Sequence, residues 1–342
     1  MDPVNVNNSK TGANNWFREN FLWLLLLSVS LAIVTSYFNH YIYVSSTNPV
    51  LLSNDHLDVV SFKAKAPMQY RLAPYFIEQW ILDAAVNFGA PNNSVTLIFI
   101  DFCVRTVLTT LGYLALLLFF GVWFDLRLSL IGLLFFVAVN PLAEFSYYHQ
   151  PGDPFNLLFF ILGYFAIAQN LDYWLLPILF FGVPFHESIA LLIPAYIAAR
   201  FGAIPYKTII FRTVLLCIAL CIPYFAIRIL IGHVPNYITE QMANRPYSSV
   251  LTENLLNPKG WWVLFLTFNV LWFVLPAAWG RLPQVVRRMF IIVPIYLLVY
   301  LIYGRFVEGR NFRPLLPLFL VAGLMWLGKE FKDSDFLSKS PL

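Results

Sequence analysis

The sequence predicts an all-α polytopic membrane protein with about eight spanning helices, each needing roughly 20 residues, plus a broken or re-entrant helical hairpin and an amphipathic helix along the outer surface. Composition is the first observation behind this. Hydrophobic residues are 59% of the 342, aromatic residues 18% and charged residues 12%, where a soluble domain carries roughly 25% charged residues. The second is the recurrence of apolar runs, long at 21–43, 95–120, 128–148, 208–231 and 259–279 and shorter at 154–168, 289–303 and 312–328. The third is that the ionisable residues gather in short breaks. All five histidines, His40, His56, His149, His186 and His233, lie near run ends that can be placed on one side of a bilayer, which points to a site on that face.

Residues 1–20 form a polar cytoplasmic head with Lys10 and Arg18, and the run that follows lacks a small-residue cleavage site, so it is a retained first helix. Residues 44–94 are an outer loop. Within it, 67–90 alternates apolar and polar residues at near-helical spacing, and Tyr75 and Trp80 suit a membrane interface. The stretch 172–200 is broken by Gly182, Pro184 and His186-Glu187. Treated as a hairpin, it leaves twelve of the 22 lysines and arginines inside, among them Arg281, Arg287 and Arg288; a single span leaves nine. Short cytoplasmic loops concentrate Lys and Arg, so the hairpin is preferred, with both termini cytoplasmic. Residues 21–328 then make one transmembrane domain, and 329–342 a cytoplasmic tail. Cys103, Cys217 and Cys221 lie inside apolar runs without metal or haem spacing and are expected in the core.

Four breaks carry candidate chemistry. Asp55-His56-Leu57-Asp58 places two carboxylates around a histidine, able to take a proton from a hydroxyl or to hold a divalent cation. Tyr148-His149-Gln150-Pro151-Gly152-Asp153 is a turn in which Asp153 also suits a helix N-cap. Pro184-Phe185-His186-Glu187 puts a carboxylate beside a histidine at the hairpin tip, which is costly in a bilayer unless the pair binds an ion, pairs or faces water. Arg305-Phe306-Val307-Glu308-Gly309-Arg310-Asn311-Phe312-Arg313 supplies guanidinium forks that match phosphate oxygens, with Arg310 and Arg313 the expected contacts to a phosphate head group. Asp101 and Arg105, four apart within a span, read as a mutually neutralising pair. The chain has no Walker loop, dinucleotide fingerprint, nucleophile elbow or His-Glu-x-x-His, and nothing points to nucleic acid.

In order along the chain, Asp58 with Phe62, Ala66 and Tyr70-Arg71-Leu72-Ala73-Pro74, the Tyr148–Asp153 turn, Glu187 opening a helix that contains Pro194, and the 308–317 segment resemble the integral-membrane C-type glycosyltransferases (GT-C fold) of the bacterial type, which use polyprenyl-phosphate sugars. The resemblance implies an envelope enzyme of the bacterial inner membrane whose active face is outward. It implies Asp58 as general base with Asp55 second, and Arg71, His149, Asp153, His186, Glu187, Glu308, Arg310 and Arg313 around the donor lipid and a glycan, lipid or protein acceptor. A divalent Mg or Mn ion would find ligands in Asp55, Asp58, His186 and Glu187. The alternatives are a transporter or flippase, and a polysaccharide polymerase lacking this base. Against transport, no internal hydropathy repeat is visible.

Overall fold

The computed structural model describes residues 16–46, 49–66, 68–143, 150–232 and 249–333, which form fifteen α-helices joined by turns and short 3-10 segments. Five segments, Phe21–His40, Ser94–Phe120, Tyr206–Ile231, Gln284–Tyr303 and Gly309–Gly328, are long and apolar enough to cross a membrane, and a bent pair brings the number to six. Among the described residues, five or six of the eight expected spans thus have a counterpart. Leu126–Asn140, Asp153–Ala168 and Asp172–Gly182 are apolar helices, but each has fewer residues than the roughly 20 that span a hydrocarbon core.

Helix α1 (Phe21–Ser46) lies along α4 (Ser94–Phe120), which in turn packs on α6 (Asp153–Ala168). Helix α4 starts where the Asn93 side chain accepts the Thr96 N–H at 3.0 Å, satisfying one of the donors a helix start leaves open. Between α1 and α4 the outer loop folds into α2 (Pro49–Val60) and α3 (Leu72–Asn87), which pack on each other and on α4. Helix α2 ends in a Schellman turn. Phe62 takes a positive φ of 60°, its N–H reaches the Val59 carbonyl at 3.1 Å, and the Lys63 N–H reaches that of Asp58 at 2.7 Å. Helix α3 is the expected amphipathic helix, with one difference: Tyr75 is buried along with Pro74, Glu78 and Leu82, while Trp80, Ile81, Asp83, Ala84 and Asn87 are exposed. The turns of α3 present positions 75, 78 and 82 to α2 and α4, so a carboxyl lies on its packed face.

After α5 (Leu126–Ala143) and α6, the 172–200 stretch forms α7 (Leu175–Gly182) and α8 (Leu192–Arg200). Its two ends meet. The Arg200 guanidinium grips both oxygens of Asp172, Arg212 grips one of them, and Arg200 Nη2 donates to the Ile167 carbonyl at 2.7 Å. The segment thus leaves and returns to the same end of the molecule, with His186-Glu187 at the far end. Gly163 makes the close packing feasible, since a Cβ there would come within 2.5 Å of Leu192.

The rest comprises α9 (Tyr206–Ile231), α10 (Val250–Leu256), α11 (Pro258–Phe268), α12 (Leu271–Ala278), α13 (Gln284–Met289), α14 (Ile292–Tyr303) and α15 (Leu316–Asp333). The span expected over 259–279 is bent by 57° between Pro258–Phe268 and Leu271–Arg281. Asn269 is the cause: at φ 48° it cannot continue a right-handed helix, and Asn is among the residues that tolerate positive φ best. In the core the Phe268 and Phe319 rings lie 4.3 Å apart at a tilt of 35°, with Trp272 and Phe290 against them. The span containing α15 is 67% buried and α9 only 11%, so α15 is an axis of the bundle and α9 a peripheral helix held by α7 and α8. The cysteines correct the expectation of a core setting. Cys103 and Cys217 are exposed on α4 and α9, on faces that lipid would cover, and Cys221 is half-buried.

Candidate functional site

The polar breaks converge at the end of the bundle opposite Asp172 and Arg200. Arg71, the residue preceding α3, clasps Glu187 with a fork, Nε to Oε2 at 3.0 Å and Nη2 to Oε1 at 3.1 Å, while its Nη1 donates to Gln150 Oε1 at 2.6 Å. One guanidinium therefore ties three separate breaks together. Gly152 lets the turn before α6 approach the hairpin tip, because a Cβ would lie 2.8 Å from the Phe185 carbonyl oxygen. The Phe155 and Phe185 rings stack beneath this approach with centroids 4.1 Å apart.

A second arginine links the last break to the turn before α6. Arg310 donates from Nη1 to Asp153 Oδ2 and from Nη2 to Glu308 Oε2, both at 2.8 Å. Asn311 Nδ2 adds a 3.4 Å contact to the same Glu308 oxygen. The segment is anchored where Tyr296 donates its hydroxyl to the Asn311 carbonyl at 2.7 Å, and Arg305 is held by the buried Glu253 at 2.8 Å.

These groups wall a cavity of about 540 Å³ between the C-terminal ends of α9 and α14, the hairpin tip and the 304–311 segment. Arg71, Arg228, Arg305 and Arg310 reach it, as do Glu187 and Glu308. With Asp153 and Glu253 behind the wall, four guanidiniums face four carboxylates, but unevenly. Arg310 serves two carboxylates, whereas Arg228 has no carboxylate partner among the described residues. Arg228 is held instead by aromatic faces, its guanidinium carbon 3.5 Å from the Tyr224 ring centroid and 4.4 Å from that of Tyr70. Tyr70 is fixed by a 3.2 Å bond from its hydroxyl to the Gly232 carbonyl. The wall thus offers one cation suited to an anion and one carboxylate, Glu308, whose partners all lie on a single oxygen.

Electrostatics set the protonation of the rest. Burial alone would raise the Glu187 pKa, but the Arg71 guanidinium outweighs it and holds the carboxyl at about 2. Burial, aided by Arg71, pushes His186 down to about 3, so its ring is neutral near pH 7. That state agrees with its geometry, since His186 Nδ1 accepts the Ser188 N–H at 3.2 Å. For Arg71, burial opposes the charge but Glu187 raises the pKa beyond the ordinary arginine value. Asp153 is likewise held below the usual range, with burial opposing and Arg310 prevailing.

The expected residues divide into three groups. Arg71, His186, Glu187, Glu308 and Arg310 line the cavity, and Asp153 stands directly behind it. Arg313 is buried in the same turn as Arg310 without joining the wall, and Asp55 and Asp58 are exposed on α2 and also lie off it. His149 and His233 lie outside the described residues. The proposed cation ligands Asp55, Asp58, His186 and Glu187 are not assembled: among the described residues no group of three or more His, Cys, Asp and Glu side chains is arranged to hold a metal. Sequence reasoning misses Arg228, Tyr224 and Tyr300. The available signal for Arg228 was a lone basic residue in the last turn of a long apolar helix. Comparison of the chain with protein-family models, curated proteins and solved structures finds no match.

Proposed function

We propose that the chain is a glycosyltransferase that moves a sugar from a polyprenyl-phosphate donor to an acceptor at the outward face of a bacterial inner membrane. The observation that carries this reading is Arg228, a cation stacked on Tyr70 and Tyr224 and facing a polar cavity at the end of a long apolar helix. A guanidinium so placed suits the phosphate of a lipid whose chain remains in the bilayer. The resemblance in the polar breaks supplies the sugar.

In the proposed reaction the acceptor hydroxyl gives its proton to a carboxylate as its oxygen bonds to the anomeric carbon. The carbon–oxygen bond to the phosphate breaks, and the electron pair departs on the lipid phosphate, where Arg228 and Arg71 balance the charge. A base must come within hydrogen-bond reach of that hydroxyl. Glu308 lines the cavity and Asp58 does not, so the base is assigned to Glu308. Asp58 is the second reading, favoured by its place in the Schellman turn that leads to Ala66 on the cavity wall.

Transfer assayed in nanodiscs with a labelled polyprenyl-phosphate sugar tests both. Glu308→Gln should lower turnover by about 10²–10⁴-fold with donor binding retained, and Asp58→Asn should leave turnover intact. The opposite pattern returns the base to Asp58. A wild-type protein that binds donor, transfers to no glycan, lipid or protein acceptor and moves the lipid between leaflets would make it a flippase.

A further inference from the structure

A second group of ionisable side chains lies away from the cavity, where α2, α3 and α4 meet. His56, Glu78, Asp101 and Arg105 are all at most 5% exposed. His56 Nδ1 is 3.4 Å from Glu78 Oε2, and its Nε2 is 3.0 Å from Gln79 Oε1. Gln79 donates its amide to Asp83 at 2.7 Å, which turns Oε1 toward the histidine, so His56 Nε2 carries a hydrogen. Asp101 and Arg105 pair at 3.7 Å across one turn of α4, and Glu78 faces both. The Arg105 guanidinium thus stands beside two buried carboxyls. The other Glu78 oxygen, Oε1, is buried and has no hydrogen-bond partner that donates to it. A buried carboxylate left in that position is costly, whereas a carboxylic acid becomes the missing donor.

We infer that Glu78 holds a proton at neutral pH and donates it to Asp101, making this cluster a proton-binding site that fastens α3 to α4 and so positions Arg71 at the cavity. Glu78 lies about two turns after Arg71, in the helix that Arg71 precedes. Loss of the proton would set two like charges against each other across the α3–α4 contact, with Arg105 from α4 and His56 from α2 the charged and titratable neighbours that oppose it. Burial and the Asp101 carboxylate both push Glu78 well above the ordinary glutamate range, and Arg105 only partly offsets them.

The test is infrared spectroscopy of the full chain in nanodiscs at pH 7, in H2O and D2O. A deuterium-sensitive carboxylic acid band should be present in wild type, absent in Glu78→Gln and lost on alkaline titration together with thermal stability. Glu78→Gln, whose amide can replace the donor, should keep its thermal stability over the same alkaline range. If that variant does not fold, Asp101→Asn should lose the band at pH 7, because its amide lets Glu78 ionise. A wild-type protein without such a band, or with the missing proton on His56 instead, overturns the inference, as does an alkaline profile identical in wild type and a folded Glu78→Gln.

Discussion

Glu187 and Glu78 each sit beside a histidine and within reach of an arginine, yet the two sites treat their carboxyls in opposite ways. At the cavity Arg71 gives Glu187 two charge-assisted bonds, and the carboxyl stays ionised while the histidine stays neutral. Between α2, α3 and α4, Arg105 is engaged with Asp101, and Glu78 has no fork of its own. The lesson is that burial alone does not decide protonation. The number of guanidinium bonds each carboxyl receives does.

The largest expected effect breaks the ionised side of this comparison. Arg310→Ala leaves Asp153 and Glu308 facing each other without their shared cation, and removing one member of a buried ion pair costs about 3–5 kcal/mol. The fall in unfolding free energy in detergent measures it, and a cost under about 1 kcal/mol, the usual worth of an exposed pair, would mean that the two carboxylates do not depend on Arg310. Gly152→Ala comes next. Its Cβ would lie 2.8 Å from the Phe185 carbonyl, and overpacking typically costs about 1–3 kcal/mol. The same variant should weaken anion binding at the cavity, because the turn carrying Gln150 and Asp153 is pushed away from the hairpin tip.

The two sites should also respond oppositely to pH. His186 is held at about 3 against an ordinary 6.5, and Glu187 at about 2 against 4.5. Both groups take up protons when the chain unfolds in acid, so their stabilisation is complete near neutrality and is lost as pH falls from 6.5 toward 2. Glu78 is raised, so its contribution is complete below 4.5 and is lost as pH climbs through its folded value. His186→Asn should flatten the upper part of the acid limb in a series of melting temperatures, and an unchanged limb would remove His186 as its source. The smallest effect is at Asp58, exposed on α2. Asp58→Asn should alter stability by no more than about 0.5 kcal/mol, and a larger loss would show a contact beyond the backbone turn.

Much of the cavity is legible in the sequence because an ionisable residue in an apolar chain is rare enough to be noticed. His186, Glu187, Glu308 and Arg310 stand out in that way, Arg71 enters only through the family resemblance, and the structure brings all five together. Arg228 does not, because a basic residue one turn from a helix end reads as an ordinary flank. Glu78 is hidden for a different reason: an amphipathic helix is expected to carry polar residues, and only the packing of α3 shows that this one points inward. The break at Asn269 is also invisible, since its positive φ is a backbone choice that a single Asn in an apolar run does not announce.

The most direct test of the proposed function is binding of a polyprenyl phosphate to the purified protein in nanodiscs, followed by native mass spectrometry, with the unphosphorylated polyprenol as control. The account expects retention of the phosphate form by wild type, a loss of about tenfold or more in Arg228→Ala, an intermediate loss in Arg228→Lys because the planar stacked fork is gone, and little retention of the alcohol. Equal retention of the two lipids, or unchanged affinity in both Arg228 variants, would contradict it.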